Sequence, residues 1–226
     1  MRLARLATLL TFLALPALGQ ETDFVTCHGP LSDEDFYRLV ACRAPPGKPC
    51  REEFVRWSPE AAHALRIGFA PVAGGYPAVL RDQLYHGLDL SVRAINRIGA
   101  DLHLMHEDDP GRQDITIHLV SSREGEPITG TGNPEMDGVP IGAALVHVTW
   151  NGRNHITRAT IAMAADIPLS NAYPVLLEEV TQALGLLTDI RNPHYEAISV
   201  FSEDSNRVRK HGPQDRMAIL RHYPRS

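Results

Sequence analysis

The side chains best placed for chemistry lie on a predicted helix that runs from about Pro174 to Leu184. On this helix Glu178 and Gln182 are four residues apart, and side chains at that spacing share one face. Such a pair can converge on one ion or ligand, while an adjacent carboxylate such as Glu179 can work as a general base. Glu178 and Glu179 themselves are a poor glycosidase pair, because neighbouring helix positions diverge by about 100°. The helix is therefore the candidate functional site, with Glu179 as the catalytic residue if the protein is an enzyme.

The sequence around this helix resembles the active-site motif of the metzincin zinc proteases. In that group two histidines stand four residues apart on a helix, a glutamate follows the first, and a glycine turn brings a third histidine to the zinc. Here Glu179 matches the glutamate and Gly185 matches the turn, whereas Glu178, Gln182 and Thr188 stand at the histidine positions. The chain is also similar to a family of exported bacterial proteins, known only as a domain of unknown function, in which Glu-Glu-x-x-Gln-x-x-Gly replaces the zinc motif.

This resemblance implies an α/β to α+β fold of metzincin type, with a mixed sheet, a long helix and an active-site-type helix. It implies a remnant cleft formed by Glu178, Glu179, Gln182, Gly185 and Thr188, above a tight turn that contains Ser199 and Phe201. Glutamine and threonine oxygens are weak ligands for zinc, and one carboxylate does not hold a metal, so we expect neither metal nor cofactor. His118, His147 and His194 are the histidines that could rebuild a metal site.

These features predict an exported, non-catalytic pseudo-metalloprotease whose remnant cleft binds a peptide, a cell-wall fragment or a protein partner. The alternative is a hydrolase that uses an atypical metal site, or metal-free acid–base chemistry led by Glu179. We expect Glu178 at a solvated helix position, and Glu179 and Gln182 buried and hydrogen-bonded to the segment around Ser199. The net charge of −5 over 226 residues argues against nucleic-acid partners, which require a basic surface.

The N-terminal segment predicts export. Arg2 and Arg5 precede an apolar stretch that ends in small residues, which is the layout of a secretory signal peptide cleaved near Gly19. The apolar stretch is too short to span a bilayer, and no later stretch predicts a transmembrane helix. The expected location of the mature protein is therefore periplasmic or secreted.

If the protein is exported, its three cysteines can form disulfide bonds, because disulfides persist in oxidising compartments. Cys42 and Cys50 flank a segment rich in proline, which predicts a small disulfide loop between them. Pairing of Cys27 with either of the other two stays possible, because sequence does not determine connectivity. A free thiol at Cys27 is the alternative.

Hydrophobic periodicity predicts the remaining elements. Ser32 begins a short helix, residues 65–69 form a strand, and a long helix runs from Pro77 to Gly99. Residues 54–57, 102–104 and 114–120 are further strands, residues 143–150 and 156–163 form a hairpin, and a last helix covers residues 213–221. Residues 125–142 are a surface loop. The domain organisation is then 1–19 as signal peptide, 20–60 as a capped helix with the cysteine loop, and 61–226 as the metzincin-like domain.

Overall fold

The computed structural model describes residues 24–72 and 74–225. The predicted signal peptide, residues 1–19, lies outside this range. The helices are α1 (Asp33–Cys42), α2 (Pro59–Ala62), α3 (Ala78–Asn96), α4 (Ala172–Gln182) and α5 (Pro213–His222). The strands are β1 (Phe24–Thr26), β2 (Arg56–Trp57), β3 (Leu65–Phe69), β4 (Leu104–His106), β5 (Ile115–Leu119), β6 (Ala144–Trp150), β7 (His155–Met163) and β8 (Asp189–Arg191).

A six-stranded mixed sheet organises most of these elements. Its order is β2-β7-β5-β3-β4, with every pair along that path parallel, and β6 pairs with β7 in antiparallel orientation. The strand–helix–strand unit β3–α3–β4 is the crossover that a parallel pair needs, since a hairpin turn cannot connect parallel strands. The mixed α/β class that the element order predicts is therefore confirmed.

The predicted hairpin is confirmed in detail. β6 and β7 pair from Ala144 with Met163 to Thr149 with Arg158, and a bulge follows between Thr149 and Trp150. The connecting turn places Asn154 at φ +58°, a left-handed conformation that asparagine tolerates better than most residues. This antiparallel hairpin forms one side of the sheet.

The core covers both faces of the central strands. On β5 the isoleucines are fully buried, and Thr116, which alternates with them, is buried too. A parallel strand is usually covered on both faces, and here Thr116 on the polar side is buried while His118 is half-buried. α3 packs against α4, and α4 approaches β6 and β7, so the candidate helix lies between the long helix and the hairpin.

The N-terminal segment joins the same hydrophobic core. Ser32 caps α1 by accepting a hydrogen bond from the Asp35 amide, and Phe36, Leu39 and Val40 of this helix are fully buried. Cys42 and Cys50 are disulfide-bonded, as predicted, while Cys27 is a free, buried thiol.

The short strands differ most from the sequence-based expectations. Strand β2 covers only Arg56 and Trp57, and β4 begins at Leu104 rather than residue 102. The parallel pair β1–β8, which joins residues about 165 positions apart, carries no local pattern long enough to predict it. In the range covered by the structure, no helix is long and apolar enough to cross a membrane.

Candidate functional site

Helix α4 is buried on all sides. Every residue from Pro174 to Gln182 is shielded from solvent, including Glu178 and Glu179. A helix that is surrounded by protein normally carries apolar residues all round, so two adjacent carboxyl groups here are costly. The expectation that Glu178 is solvated is wrong, because α3, β6 and β7 pack against the helix and Glu178 is buried.

Glu178 and Gln182 converge on one partner, Asp189. The Gln182 amide Nε2 donates to Asp189 Oδ1 at 2.7 Å, and Glu178 shares a hydrogen bond with the same carboxyl group. Burial raises the pKa of Glu178 well above its ordinary value, and the neighbouring carboxyl groups raise it further, Asp189 most strongly. The buried environment therefore favours the protonated form of Glu178, which shares a hydrogen bond with the Asp189 carboxyl group.

Glu179 carries a buried carboxyl oxygen without a hydrogen-bond partner among the described residues. Only 7% of its surface is exposed, and its Oε2 atom has no hydrogen-bond partner within the described residues. Burial alone raises the pKa of Glu179 to about 8, so its neutral, protonated form predominates at pH 7. A carboxylic acid of this kind can donate a hydrogen bond or a proton to a bound group.

The glycine that follows α4, Gly185, is required by the packing of the backbone around it. Gly185 adopts φ +98°, and a Cβ atom on residue 185 would overlap the carbonyl oxygen of Val55. The carbonyl groups at this helix end are satisfied from elsewhere in the chain, since Trp57 Nε1 donates to the Ala183 oxygen and the Tyr223 hydroxyl donates to the Leu184 oxygen. Close backbone approach, independent of any ligand, therefore requires glycine at residue 185.

The turn from Ser199 to Phe201 is held by a residue of α5. Ser199 Oγ donates to Asp215 Oδ1 at 2.6 Å, and the Val200 amide donates to Asp215 Oδ2 at 3.0 Å. Phe201 is fully buried against Phe36 of α1. The expected hydrogen bonds from Glu179 and Gln182 to this turn do not match the observed contacts, because Asp215 accepts from both donors and Gln182 donates to Asp189 instead.

A cleft of about 660 Å³ lies between α4 and the hairpin. Glu179, Gln182 and Thr188 line it on one side, and six of the seven residues of β6 line it on the other. Asp189 and Glu203 complete the polar part of the wall. Three of the predicted cleft residues are thus brought together at its wall, while Glu178 and Gly185 are not among the residues that line it.

Among the described strands, β6 has one edge beside this cleft that no other strand pairs with. Its strand neighbour in residues 24–72 and 74–225 is β7 alone. The amide of Ala164 donates to the Ala143 oxygen, so residues 145 and 147 exchange hydrogen bonds with β7 in the antiparallel alternation. By the same alternation, Ala144, Val146 and Val148 direct their backbone N–H and C=O groups away from β7.

The three histidines that could have rebuilt a metal site lie apart from one another. His147 lines the cleft and contacts Asn133 Nδ2 through its Nδ1 at 3.0 Å. His118 is half-buried on β5, where burial lowers its pKa, and His194 is exposed against the Tyr195 ring. Over the described ranges, no group of three or more histidine, cysteine, aspartate or glutamate side chains is arranged to hold a metal ion.

Two site residues were missed by sequence reasoning. Asp189 stands directly after Thr188, and Glu203 follows the Phe201 turn, but neither belongs to the helical spacing that drew attention to α4. They reach the site because β8 pairs with the segment after the turn, where the Ile190 amide donates to the Phe201 oxygen. The acidic residues that follow the motif in the sequence were the signal available for predicting them. Only the pairing of β8 shows that Asp189 and Glu203 lie close to the helix.

Comparison with known proteins adds no identification. The chain matches no protein-family model, and no curated protein matches it in sequence.

Proposed function

We propose that this chain is an exported, non-catalytic relative of the metzincins whose cleft binds an extended peptide segment, from a protein partner or from the peptide part of a cell-wall fragment. The single observation that carries the proposal is the edge of β6 beside the cleft, which pairs with no other strand of residues 24–72 and 74–225. An open strand edge offers alternating amide and carbonyl groups, and an extended peptide can add to it as a further strand. The backbone groups of Ala144, Val146 and Val148 are oriented for that pairing.

The chemistry of α4 supports binding over metal-dependent hydrolysis. Glu178 and Gln182, which stand at two of the histidine positions, both bond to Asp189. Thr188, at the third position, offers a neutral oxygen that is a weak zinc ligand. A purified protein that carries one tightly held metal ion per chain would contradict this part of the proposal.

Two observations support export. Arg2, Arg5 and the apolar stretch after them have the layout of a signal peptide. The bond between Cys42 and Cys50 fits an oxidising compartment, where disulfides persist.

The binding proposal is tested with immobilised mature protein and a pool of randomised, capped hexapeptides. We expect retention of peptides by the wild type and at least a tenfold loss in Val146→Pro, because proline removes the amide donor that faces the open edge. The ladder to β7 stays intact in this variant, since residue 146 does not bond to that strand, so the melting temperature should change little. Val146→Thr keeps the amide and the β-branched shape, and it should retain peptides as the wild type does. Absence of retention by the wild type would refute the proposal.

A second candidate function, metal-free hydrolysis, is favoured by Glu179. A buried acid with a pKa of about 8 at a cleft is suited to donate a proton near neutral pH. The same peptide pool, incubated with the protein and examined by mass spectrometry, distinguishes the two functions. Cleavage products that form with the wild type and disappear with Glu179→Gln would establish hydrolysis in place of simple binding.

A further inference from the structure

The wall of the cleft contains one buried carboxyl group whose hydrogen bonding is incomplete. Glu179 lines the cleft, it is more than nine-tenths buried, and its Oε2 atom has no partner among the described residues. Buried polar atoms in folded proteins nearly always have a hydrogen-bond partner. An exception at the wall of a cleft therefore indicates a place where a bound ligand supplies the partner.

The form of Glu179 that a ligand meets is the neutral acid. Burial raises the pKa of this side chain to about 8, so the carboxyl group keeps its proton at neutral pH. The titratable groups around it are Glu178 on the same helix and, along the cleft wall, Arg43, Glu52, His147, Asp189 and Glu203. The shift of the Glu179 pKa is caused by burial and does not depend on the charges of these groups.

A neutral carboxyl group carries a hydroxyl donor and a carbonyl acceptor side by side. The primary amide of asparagine or glutamine presents the matching acceptor and donor, so it can complete the hydrogen bonding of Glu179 without ionisation of either group. A ligand cation pairs most strongly with an ionised carboxylate, which Glu179 is not at neutral pH. A ligand carboxylate would meet a wall in which acidic residues outnumber Arg43, the one arginine or lysine among the described residues that line it.

We propose that the cleft selects peptides with an asparagine or glutamine side chain, and that Glu179 is the residue that receives this side-chain amide. The proposal rests on the binding function above and specifies its ligand class. A peptide added to β6 alternates its side chains between the two faces of the sheet, so every second one points to the face where α4 lies. One amide side chain at such a position reaches Glu179, while the backbone of the peptide pairs with the strand edge.

The test uses three pools of capped hexapeptides that are random at all positions except the third, which is glutamine, glutamate or methionine. These three side chains have similar lengths but differ in charge and in hydrogen-bonding ability. We expect immobilised wild-type protein at pH 6.5 to retain the glutamine pool at least tenfold more strongly than either of the others. Equal retention of the glutamine and methionine pools would overturn the selection and leave peptide binding intact, whereas retention of no pool would overturn both.

A pH profile connects the preference to the proton on Glu179. In the wild type the preference for glutamine over methionine should fall at least fivefold between pH 6.5 and pH 9.5, because the ionised carboxylate no longer donates. Glu179→Gln keeps a donor and an acceptor and does not ionise, so its preference should be the same at both pH values. A wild-type preference that does not change with pH would overturn the assignment to Glu179.

Glu179→Met removes both hydrogen-bonding groups and should abolish the preference at pH 6.5. The exposed Glu196, outside the cleft wall, provides the control, and Glu196→Gln should reproduce the wild-type preference and its pH profile. A preference that survives in Glu179→Met would refute the contact.

A measurement on the wild type covers the case in which the Glu179 variants fail to fold. Because the amide binds the protonated form, the glutamine pool should move the titration of the Glu179 carboxyl ¹³C resonance to higher pH, and the methionine pool should not. An unchanged titration in the presence of the bound glutamine pool would refute the contact.

Discussion

Replacement of Glu179 by glutamine is expected to stabilise the protein, and to do so increasingly as the pH rises. The wild-type side chain is buried, its Oε2 atom has no partner among the described residues, and its pKa is about 8 in the folded protein against 4.5 ordinarily. Between these two values the unfolded chain releases a proton that the folded chain retains, so the free energy of unfolding falls with rising pH. The stability that the neutral acid provides is fully present below pH 4.5 and is lost as the pH rises through 8.

The size of the effect follows from the two pKa values. The pKa of Glu179 differs between the unfolded and folded chain from 4.5 to about 8, and each pH unit corresponds to about 1.4 kcal/mol. The loss of unfolding free energy between these pH values is therefore at most about 5 kcal/mol. Local relaxation and water penetration reduce such limits, so we expect Glu179→Gln to gain about 2 to 3 kcal/mol over the wild type between pH 4.5 and pH 8. Glutamine does not ionise, so the variant lacks this source of pH dependence.

The assay is urea unfolding at several pH values from 4.5 to 8, followed by the fluorescence of Trp57, which is buried. The quantity of interest is the difference between variant and wild type, because contributions from titrating groups that do not interact with Glu179 cancel in it. Glu196→Gln, at an exposed position, should show a difference that does not change with pH. A constant difference for Glu179→Gln would refute the reasoning, and growing destabilisation at high pH would show that Glu179 is ionised and paired.

Three further predictions concern the frame around the site. Gly185→Ala should lower the free energy of unfolding by about 3 kcal/mol or more, because the new Cβ atom would overlap the Val55 backbone. Gly99→Ala is the control in the same denaturant assay. Residue 99 also has a positive φ, +83°, but its Cβ atom would meet only the flexible guanidinium end of Arg225, so this variant should lose about 1 kcal/mol. Replacing Cys42 and Cys50 together by serine should cost about 2 to 3 kcal/mol, and a reducing agent should produce the same loss in the wild type but none in the variant. Burial lowers the pKa of His222 to about 4, so the unfolded chain takes up a proton below pH 6.5 that the folded chain rejects, and stability should fall by up to about 3 kcal/mol between pH 6.5 and 4. In His222→Gln this loss should be smaller, and an equal loss in both proteins would contradict the assignment.

The local elements of the fold could be predicted because their signals are local. The apolar spacing of α3, the alternation of β5 and the turn between β6 and β7 each lie within about twenty consecutive residues, and the structure confirms all three. The disulfide between Cys42 and Cys50 belongs to the same class, since eight positions separate the two cysteines. The kinship with metzincins stays a prediction, because it concerns ancestry rather than these contacts.

The state of the carboxyl groups was decided by tertiary structure alone. Nothing in the spacing of Glu178 distinguishes a solvated helix position from one that α3 and the hairpin enclose, and the pKa depends on that enclosure. Asp189 and Glu203 join the site only because the chain around β8 returns beside the Phe201 turn. The sequence by itself determined which groups are available for chemistry, while long-range packing determined which of them meet, which are desolvated and which hold protons, because these properties arise from neighbours distant along the chain.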